Sequence, residues 1–572
     1  MMKLIFQNRL RVAVFGLLLA FAQSPCLAQT SDQTTNQQPS AADQQIPPAV
    51  AKKLEAMEAR IEQLEAELKA RPAVAPLSAK ASAPIPSATA AAPAPSATAL
   101  TSTSATTQTQ GELTASQTPV VAPGKEEPFS DADWTWLNGN PRTKDIFWDT
   151  KFFTPEIRVD TNYVFDFNHP TDHSIGGSSE LFRSQEVQLE QLGIGGDFHW
   201  DNVRGRFMTQ FGMYSATTPR NDPSPGHGQW DLVSAYRYLS EAYGGYHFNV
   251  LHGVNVDAGI FLSYIGLFSY YNFDNWAYQP SYVSSNTPWF FTGVRVQIFP
   301  TKHLKIEPWF INGWQSYASA NHTPGLGGQL KWTPKPWINV ISNNYGLGQD
   351  DLFVPHRERI HTDNSVEVKY FDRPDRQFLD KMAFSLTGDA GCEFGAGVSC
   401  YGDHKGGPKQ SFLGYMFYNR WWFDRDKFGL TIGGGKINNP GRYLVLLPPI
   451  NGESAITAST NSPYFTENPG DPFKAWDSSL TFDYMPKQYI TFRWEYDYRH
   501  ANVPYWSGRG GITPPGGNTG FPTQYACLNG ATSGATSLGP AETACSAMGS
   551  GVWFPDLRRD ESFIDMSILV KF

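Results

Sequence analysis

The sequence predicts an all-β protein: a transmembrane, antiparallel, up-and-down β-barrel of about 16 strands (14–18), preceded by a short α-helical coiled coil and a disordered linker. Three observations carry this. An export signal opens the chain, yet no later stretch approaches the ~20 apolar residues that a membrane helix needs. Period-2 alternation of apolar and ionic residues recurs from Pro155 to Phe572. Aromatic residues make up 14% of the chain while mean hydropathy stays negative, as expected of aromatic girdles around a polar interior.

The export signal spans 1–28. Lys3, Arg9 and Arg11 form its basic region, Val12 to Phe21 its apolar region, and Cys26-Leu27-Ala28 the small residues before a cut ahead of Gln29. The apolar region is too short to span a bilayer. Cys26 raises a lipoprotein alternative, but Gln23-Ser24-Pro25 is a poor lipidation context. An exported membrane protein without membrane helices must be a closed barrel, because lipid leaves no partner for an open sheet edge. Net charge is -9, and removing the three basic residues of the signal leaves -12, which argues against nucleic-acid binding.

Residues 29–48 are polar and Gln-rich and read as a disordered leader. Over 49–70, Val50, Leu54, Met57, Ile61, Leu64 and Leu68 recur at alternating spacings of four and three, a heptad seam. So short a helix is unstable alone in water, so the seam implies a homo-oligomer; a solvated helix docked on its own barrel is the alternative. An Ala/Pro/Ser/Thr-rich linker follows over 71–130, and the barrel occupies 131–572.

The expected strands are 156–167, 186–198, 203–214, 236–249, 254–265, 289–299, 304–313, 326–333, 337–346, 358–371, 382–389, 411–423, 428–436, 475–485, 489–500 and 562–572. In the first, Ile157, Val159, Thr161, Tyr163 and Phe165 oppose Arg158, Asp160, Asn162 and Asp166; in the fifteenth, Ile490, Phe492, Trp494, Tyr496 and Tyr498 oppose Arg493, Glu495, Asp497 and Arg499. Ionic residues along a whole strand face suit a water-filled lumen rather than a small apolar barrel core. Short connections such as Asp424-Arg425-Asp426-Lys427 alternate with long ones at Ala216–Ala235, Gly266–Thr287, Gly388–Lys409, Asn438–Lys474 and Ala501–Arg559, the pattern of periplasmic turns and external loops. The N-terminal coiled coil then lies in the periplasm. Ile564, Met566, Ile568, Val570 and Phe572 form the lipid face of the last strand, whose terminal Phe resembles the signal read by the barrel-insertion machinery.

After signal removal the cysteines are Cys392, Cys400, Cys527 and Cys545. Two local pairs in an oxidising compartment point to disulfide staples in external loops. The nearby His404 does not complete a usual zinc spacing.

Residues 133–572 resemble the putative β-barrel porin-2, OmpL-like family. The resemblance is carried by Asp133-Trp134-Thr135-Trp136-Leu137-Asn138-Gly139-Asn140, by Gly205-Arg206-Phe207-Met208-Thr209-Gln210-Phe211-Gly212-Met213-Tyr214 and by Tyr271-Asn272-Phe273-Asp274-Asn275-Trp276-Ala277-Tyr278-Gln279-Pro280-Ser281-Tyr282. It implies an outer-membrane barrel and carries no functional residue over. A coiled coil ahead of a barrel is similar to the layout of some sugar porins, and by analogy with porins a trimer is the favoured oligomer.

The expected function is passive diffusion of small hydrophilic solutes, carbohydrates among them, across the bacterial outer membrane. Arg158, Asp160, Arg204, Arg206, Arg237, Glu241, Arg295, Glu367, Arg420, Arg493, Glu495 and Asp497 are the expected pore-lining residues. Opposed arginines and carboxylates would set a transverse field, or would brace the wall as ion pairs. The Gly266–Thr287 loop is the expected constriction, with Tyr270, Tyr271, Phe273, Asp274, Trp276, Tyr278 and Tyr282. Its rings could stack on sugars, although packing the loop against the wall is the commoner use of such rings. No cofactor, metal site or enzyme motif is expected. Gly433-Gly434-Gly435-Lys436 and Gly193-Ile194-Gly195-Gly196 lie in strands, no Gly-x-Ser-x-Gly occurs, His169, His173, His356 and His361 are isolated, and Asp350-Asp351 reads as a solvated turn. The alternatives are an envelope tether or adhesin barrel and an outer-membrane hydrolase.

Overall fold

The computed structural model describes residue 126 onward, apart from 171–172, 177–179, 223, 225–228, 320–322, 350–355, 377, 396–398, 403–408, 441–472, 503–505, 510–524, 526, 530, 536 and 553–556. The export signal, the leader, the coiled coil, all but the last residues of the linker, His404 and Asp350-Asp351 lie outside the described residues.

Sixteen antiparallel strands close into one barrel. In chain order they are β1 Phe153–Asp166, β2 Val187–Trp200, β3 Val203–Thr209, β4 Leu239–Phe248, β5 Val254–Leu262, β6 Phe290–Thr301, β7 Leu304–Ile311, β8 Gly325–Lys335, β9 Ile338–Gln349, β10 Glu358–Asp372, β11 Leu379–Phe394, β12 Ser411–Phe423, β13 Phe428–Asn439, β14 Phe473–Lys487, β15 Ile490–Ala501 and β18 Asp560–Lys571. The two-residue strands β16 Trp506–Ser507 and β17 Leu557–Arg558 pair within the loop between β15 and β18. Each barrel strand pairs with its sequence neighbours, and β18 returns to β1 with Arg158 opposite Lys571 and Val159 opposite Val570. Closure removes the edge that lipid cannot hydrogen-bond.

Alternation decides which side chains meet lipid. On β15, Arg493, Glu495, Asp497 and Arg499 are buried, while Trp494 and Tyr496 are exposed on the other face. On β18, Met566 and Ile568 are exposed and Asp565 and Ser567 are buried. Among the described residues no helix is long and apolar enough to cross a membrane.

The structure corrects three local expectations. Strand β3 stops at Thr209, short of 214, because Gly212 takes φ +99° and helix α1 (Tyr214–Thr217) follows. A side chain at Gly212 would sit 2.6 Å from the Leu189 carbonyl oxygen. Strand β4 begins at Leu239 rather than 236, because residues Leu232–Tyr236 form helix α2, whose N-cap Asp231 accepts a hydrogen bond from Ser234 N at 3.0 Å. Arg237 is therefore the C-cap of that helix and not a lumen-facing strand residue; its Nε donates to Ser215 O at 3.0 Å. Strand β11 runs to Phe394, past the expected 389, because β10 and β12 extend far enough to pair with it. Cys392 thus lies on a strand, opposite Ser411, and not in a loop.

Candidate solute pathway

The interior is crossed by the segment between β5 and β6. Around the ring of sixteen strands, the wall opposite this segment is β13 and β14. Ser269 N donates to Asn275 Oδ1 at 2.7 Å and Asn275 Nδ2 donates back to Ser269 O at 2.8 Å, closing a compact bend around a single 3-10 turn at Asn272–Asp274. Ser281 then caps helix α3 (Tyr282–Ser285), accepting from Val283 N at 3.4 Å.

Wall residues hold this crossing at both ends. On the β1–β4 side, Arg158 Nη1 meets Asp274 Oδ2 at 3.0 Å and its guanidinium lies 3.9 Å from the Tyr271 ring centre. Tyr271 OH donates to Glu241 Oε1 at 2.7 Å. Asp160 accepts from Asn272 Nδ2 at 2.9 Å and from Tyr278 OH at 2.8 Å. On the far side, Arg493 donates to the carbonyls of Asn272 and Asn275 at 3.2 and 2.6 Å, and Arg420 to that of Trp276 at 3.2 Å. Both Glu495 oxygens accept backbone N–H groups, from Tyr278 and Gln279, each at 2.6 Å. Asp477 Oδ2 accepts from Ser281 Oγ at 2.8 Å and from Tyr282 N at 3.0 Å. A buried loop carries backbone groups that need partners. The charged wall supplies them.

Below the crossing, towards the short turns, lies a dense set of ion pairs. Arg206 contacts Glu241, Asp197 and Glu156 at 2.9, 3.0 and 3.2 Å, and Glu156 also pairs with Arg158. Asp257 lies between Arg295 at 3.0 Å and Arg204 at 3.3 Å, and Asp483 lies between Arg493 and Arg420, each at 2.7 Å. Above it, Arg359 pairs with Glu393 at 2.8 Å, and His361 Nε2 lies 2.7 Å from Asp389 Oδ1.

Of the residues singled out from sequence, Arg158, Asp160, Arg204, Arg206, Glu241, Arg295, Glu367, Arg420, Arg493, Glu495 and Asp497 are all buried on the inner face; Arg237 is not among them. The loop residues Tyr271, Phe273, Asp274, Trp276, Tyr278 and Tyr282 are buried within the lumen. Their rings are engaged by protein. Arg142 lies 4.9 Å over Phe273, Trp422 meets Trp276 edge-on at 5.6 Å, and Phe473 and Trp506 lie 6.0 and 6.1 Å from Tyr282. These are the packing contacts of a loop seated against its wall. Cys392–Cys400 and Cys527–Cys545 are disulfide-bonded, with Cα separations of 5.1 and 5.4 Å; Cys545 lies on helix α4 (Leu538–Ala547).

Sequence reasoning missed a second occupant of the lumen. Residues Phe129–Asn140, assigned to the end of the linker and the start of the barrel, enter at the end where the short turns lie. Trp134, Trp136, Leu137 and Asn138 are buried there. Asn138 N donates to Glu367 Oε1 and Trp276 N donates to Asn138 Oδ1, both at 2.8 Å, so Asn138 bridges wall and crossing loop. Trp136 Nε1 donates to Pro336 O at 3.0 Å, and Lys331 Nζ lies 3.9 Å over Trp134. The signal was present: two tryptophans and a leucine in four residues, followed by Asn-Gly-Asn, do not suit a solvated linker. Lys369 Nζ meets Asp133 Oδ2 at 2.9 Å. Burial raises the Asp133 pKa, but Lys369 and the Thr135 hydroxyl outweigh it and hold the carboxyl below its usual range.

No curated protein matches the chain. Among solved structures it is similar to outer-membrane expressed OmpT of Vibrio cholerae, with 8% identity over 75% of this chain and 100% of that one and a TM-score of 0.38. It is also similar to the outer membrane channel DcaP of Acinetobacter baumannii, with 12% identity over 74% and 99% and a TM-score of 0.38. Against Pseudomonas putida OprB the values are 10% identity, 74% and 94% coverage, and a TM-score of 0.40. The family model described as putative beta-barrel porin-2, OmpL-like, matches residues 157–527, well over half of the chain. With its closed sixteen-stranded barrel and charged interior, the chain belongs to this family of outer-membrane β-barrel porins.

Proposed function

We propose that this porin passes small hydrophilic solutes passively, and that the β5–β6 crossing loop is its selectivity element. The observation that carries the reading is the inner face: arginines and carboxylates line it at every level, and the crossing loop is tied to them across the whole lumen. Charges of both signs held on opposite walls orient dipolar and zwitterionic solutes in transit. The loop rings are occupied by wall groups, which favours charge-guided passage over sugar stacking; carbohydrates remain solutes to test. In this reading the N-terminal coiled coil is periplasmic and draws three copies together, and the last strand is the segment recognised during insertion.

The test is single-channel conductance of the refolded full chain in planar bilayers, in KCl gradients and with added sugars and amino acids. Stable ohmic steps support the channel, and solute block names the solute class. Absence of conductance from protein shown to be folded overturns the reading and leaves a tether or adhesin barrel.

A further inference from the structure

We infer that the Phe129–Asn140 segment is a plug that closes the short-turn mouth of the channel and steadies the crossing loop, and that its withdrawal opens the pore. The inference rests on the channel reading above.

In the structure the lumen is occluded. Lysines, arginines and carboxylates on the inner face are buried at every height, from Lys571 and Arg493 near the turns to Glu561 and Arg359 near the long loops. An aqueous path through a barrel of this size would leave such side chains partly exposed. Passage therefore requires something in the lumen to move; among the described residues the crossing loop and the Phe129–Asn140 segment lie there, with Leu181 and Phe182 of the β1–β2 loop packed on the crossing loop.

Their anchoring differs. The crossing loop is covalently part of the wall at both ends and is held by Arg158, Arg493, Glu495 and Asp477, through charge-assisted hydrogen bonds of the stronger kind. The Phe129–Asn140 segment is flanked by Arg142, whose Nη2 donates to Ile490 O at 2.7 Å, and by Glu126, whose carbonyl oxygen lies 2.9 Å from His252 Nδ1, and neither flank belongs to a barrel strand. Within it, Asn138 contributes the two bonds described above, Trp136 one bond to a carbonyl, Phe129 N one to Lys302 O at 2.7 Å, and Asp133 a partly exposed pair with Lys369. The segment is otherwise held by apolar burial: Phe129, Trp134, Trp136 and Leu137 pack with Leu267, Phe268 and Trp276. It has fewer charge-assisted bonds to the wall than the crossing loop has.

Its fit to the crossing loop is close. Gly139 has φ +70°, and a Cβ there would lie 2.3 Å from Leu267 O and 3.2 Å from Ser269 N. Only glycine allows the bend that brings Asn138 under Trp276. Contact at both residues couples the two elements, so the crossing loop loses a backbone partner when the plug leaves.

The test uses the full chain with Trp136→Ala/Asn138→Ala, and separately Gly139→Ala, each shown to be folded by heat-modifiable gel mobility. Two readouts are taken. One is single-channel open probability. The other is the labelling rate of Ser385→Cys by a small charged methanethiosulfonate; Ser385 is buried and pairs across the sheet with Glu367, which holds Asn138. Cys392, Cys400, Cys527 and Cys545 are in disulfides and do not react, and Cys26, in the expected export signal, is replaced by serine in all the labelled proteins. Loss of the Asn138 Oδ1 bond to Trp276 N, together with the Trp136 packing and its bond to Pro336 O, is expected to raise the open-to-closed ratio and the labelling rate by about 10- to 100-fold. Wild-type conductance with open probability and labelling unchanged in both variants overturns the plug and leaves the channel standing. Faster labelling with no conductance in any variant supports the plug and overturns the channel. As a second check, a flexible bis-maleimide joining Asp133→Cys to Lys369→Cys is expected to hold the pore shut; undiminished conductance from the cross-linked protein overturns the inference.

Discussion

Replacing Glu495 by alanine removes the acceptor for two successive backbone N–H groups of the crossing loop. Glu495 is 1% exposed and takes Tyr278 N and Gln279 N at 2.6 Å and the Thr481 hydroxyl at 2.7 Å. Each buried N–H left without a partner costs about 1–3 kcal/mol, so the two together cost roughly 2–6 kcal/mol. The substitution also relieves repulsion with Asp497 and Asp565, removes attraction to Arg493, and spares the burial of one carboxylate, which together offset part of this. The expected net loss is about 2–4 kcal/mol, confined to the loop because the β14–β15 backbone ladder is unchanged. Amide hydrogen exchange read by mass spectrometry on peptides covering 266–287 measures it directly. At tenfold per 1.4 kcal/mol, protection should fall on the order of 30- to 1000-fold. Protection within about threefold of wild type would refute the claim that this carboxylate anchors the loop.

Three further outcomes are expected. Leu386→Arg places a cation on the lipid face at the middle of β11, where Leu386 is 44% exposed, and should lower stability in a urea titration by about 2–4 kcal/mol. Because Asp133 has its pKa held below the usual range by Lys369, its ion pair contributes stability above the unfolded carboxylate pKa and loses it as pH falls through the lower folded value. Acidification below about pH 4 should therefore loosen the Phe129–Asn140 segment, read as higher single-channel open probability, and Asp133→Asn should remove that pH dependence. Reducing Cys527–Cys545, which closes 18 residues of chain, should free helix α4 for proteolysis in the external loop, with a loop-closure loss of about 3 kcal/mol; an unchanged cleavage pattern after complete reduction would count against the staple.

The sequence by itself determined the wall. A strand face is a local property, so an alternation such as Phe492-Arg493-Trp494-Glu495 fixes which side chains meet lipid without knowledge of any neighbour. Sixteen such runs, each too polar on one face for a dry apolar core, determined closure, and the cysteine spacing indicated the two staples. Strand ends are less legible: Gly212 and the Asp231 cap override local alternation, which by itself puts Arg237 on a strand. What fills the lumen was decided only by tertiary structure. Asp160, Glu495 and Arg493 read alike as solvated pore residues or as anchors for a buried loop. Their partners lie on the crossing loop, more than 100 residues away in sequence: side chains for Asp160, backbone groups for Glu495 and Arg493. The Phe129–Asn140 segment sits under Trp276 only because ring closure brings Glu367 and the crossing loop to the same point in space. Alternation specifies which face a residue occupies; only closure of the barrel specifies what that face meets across it.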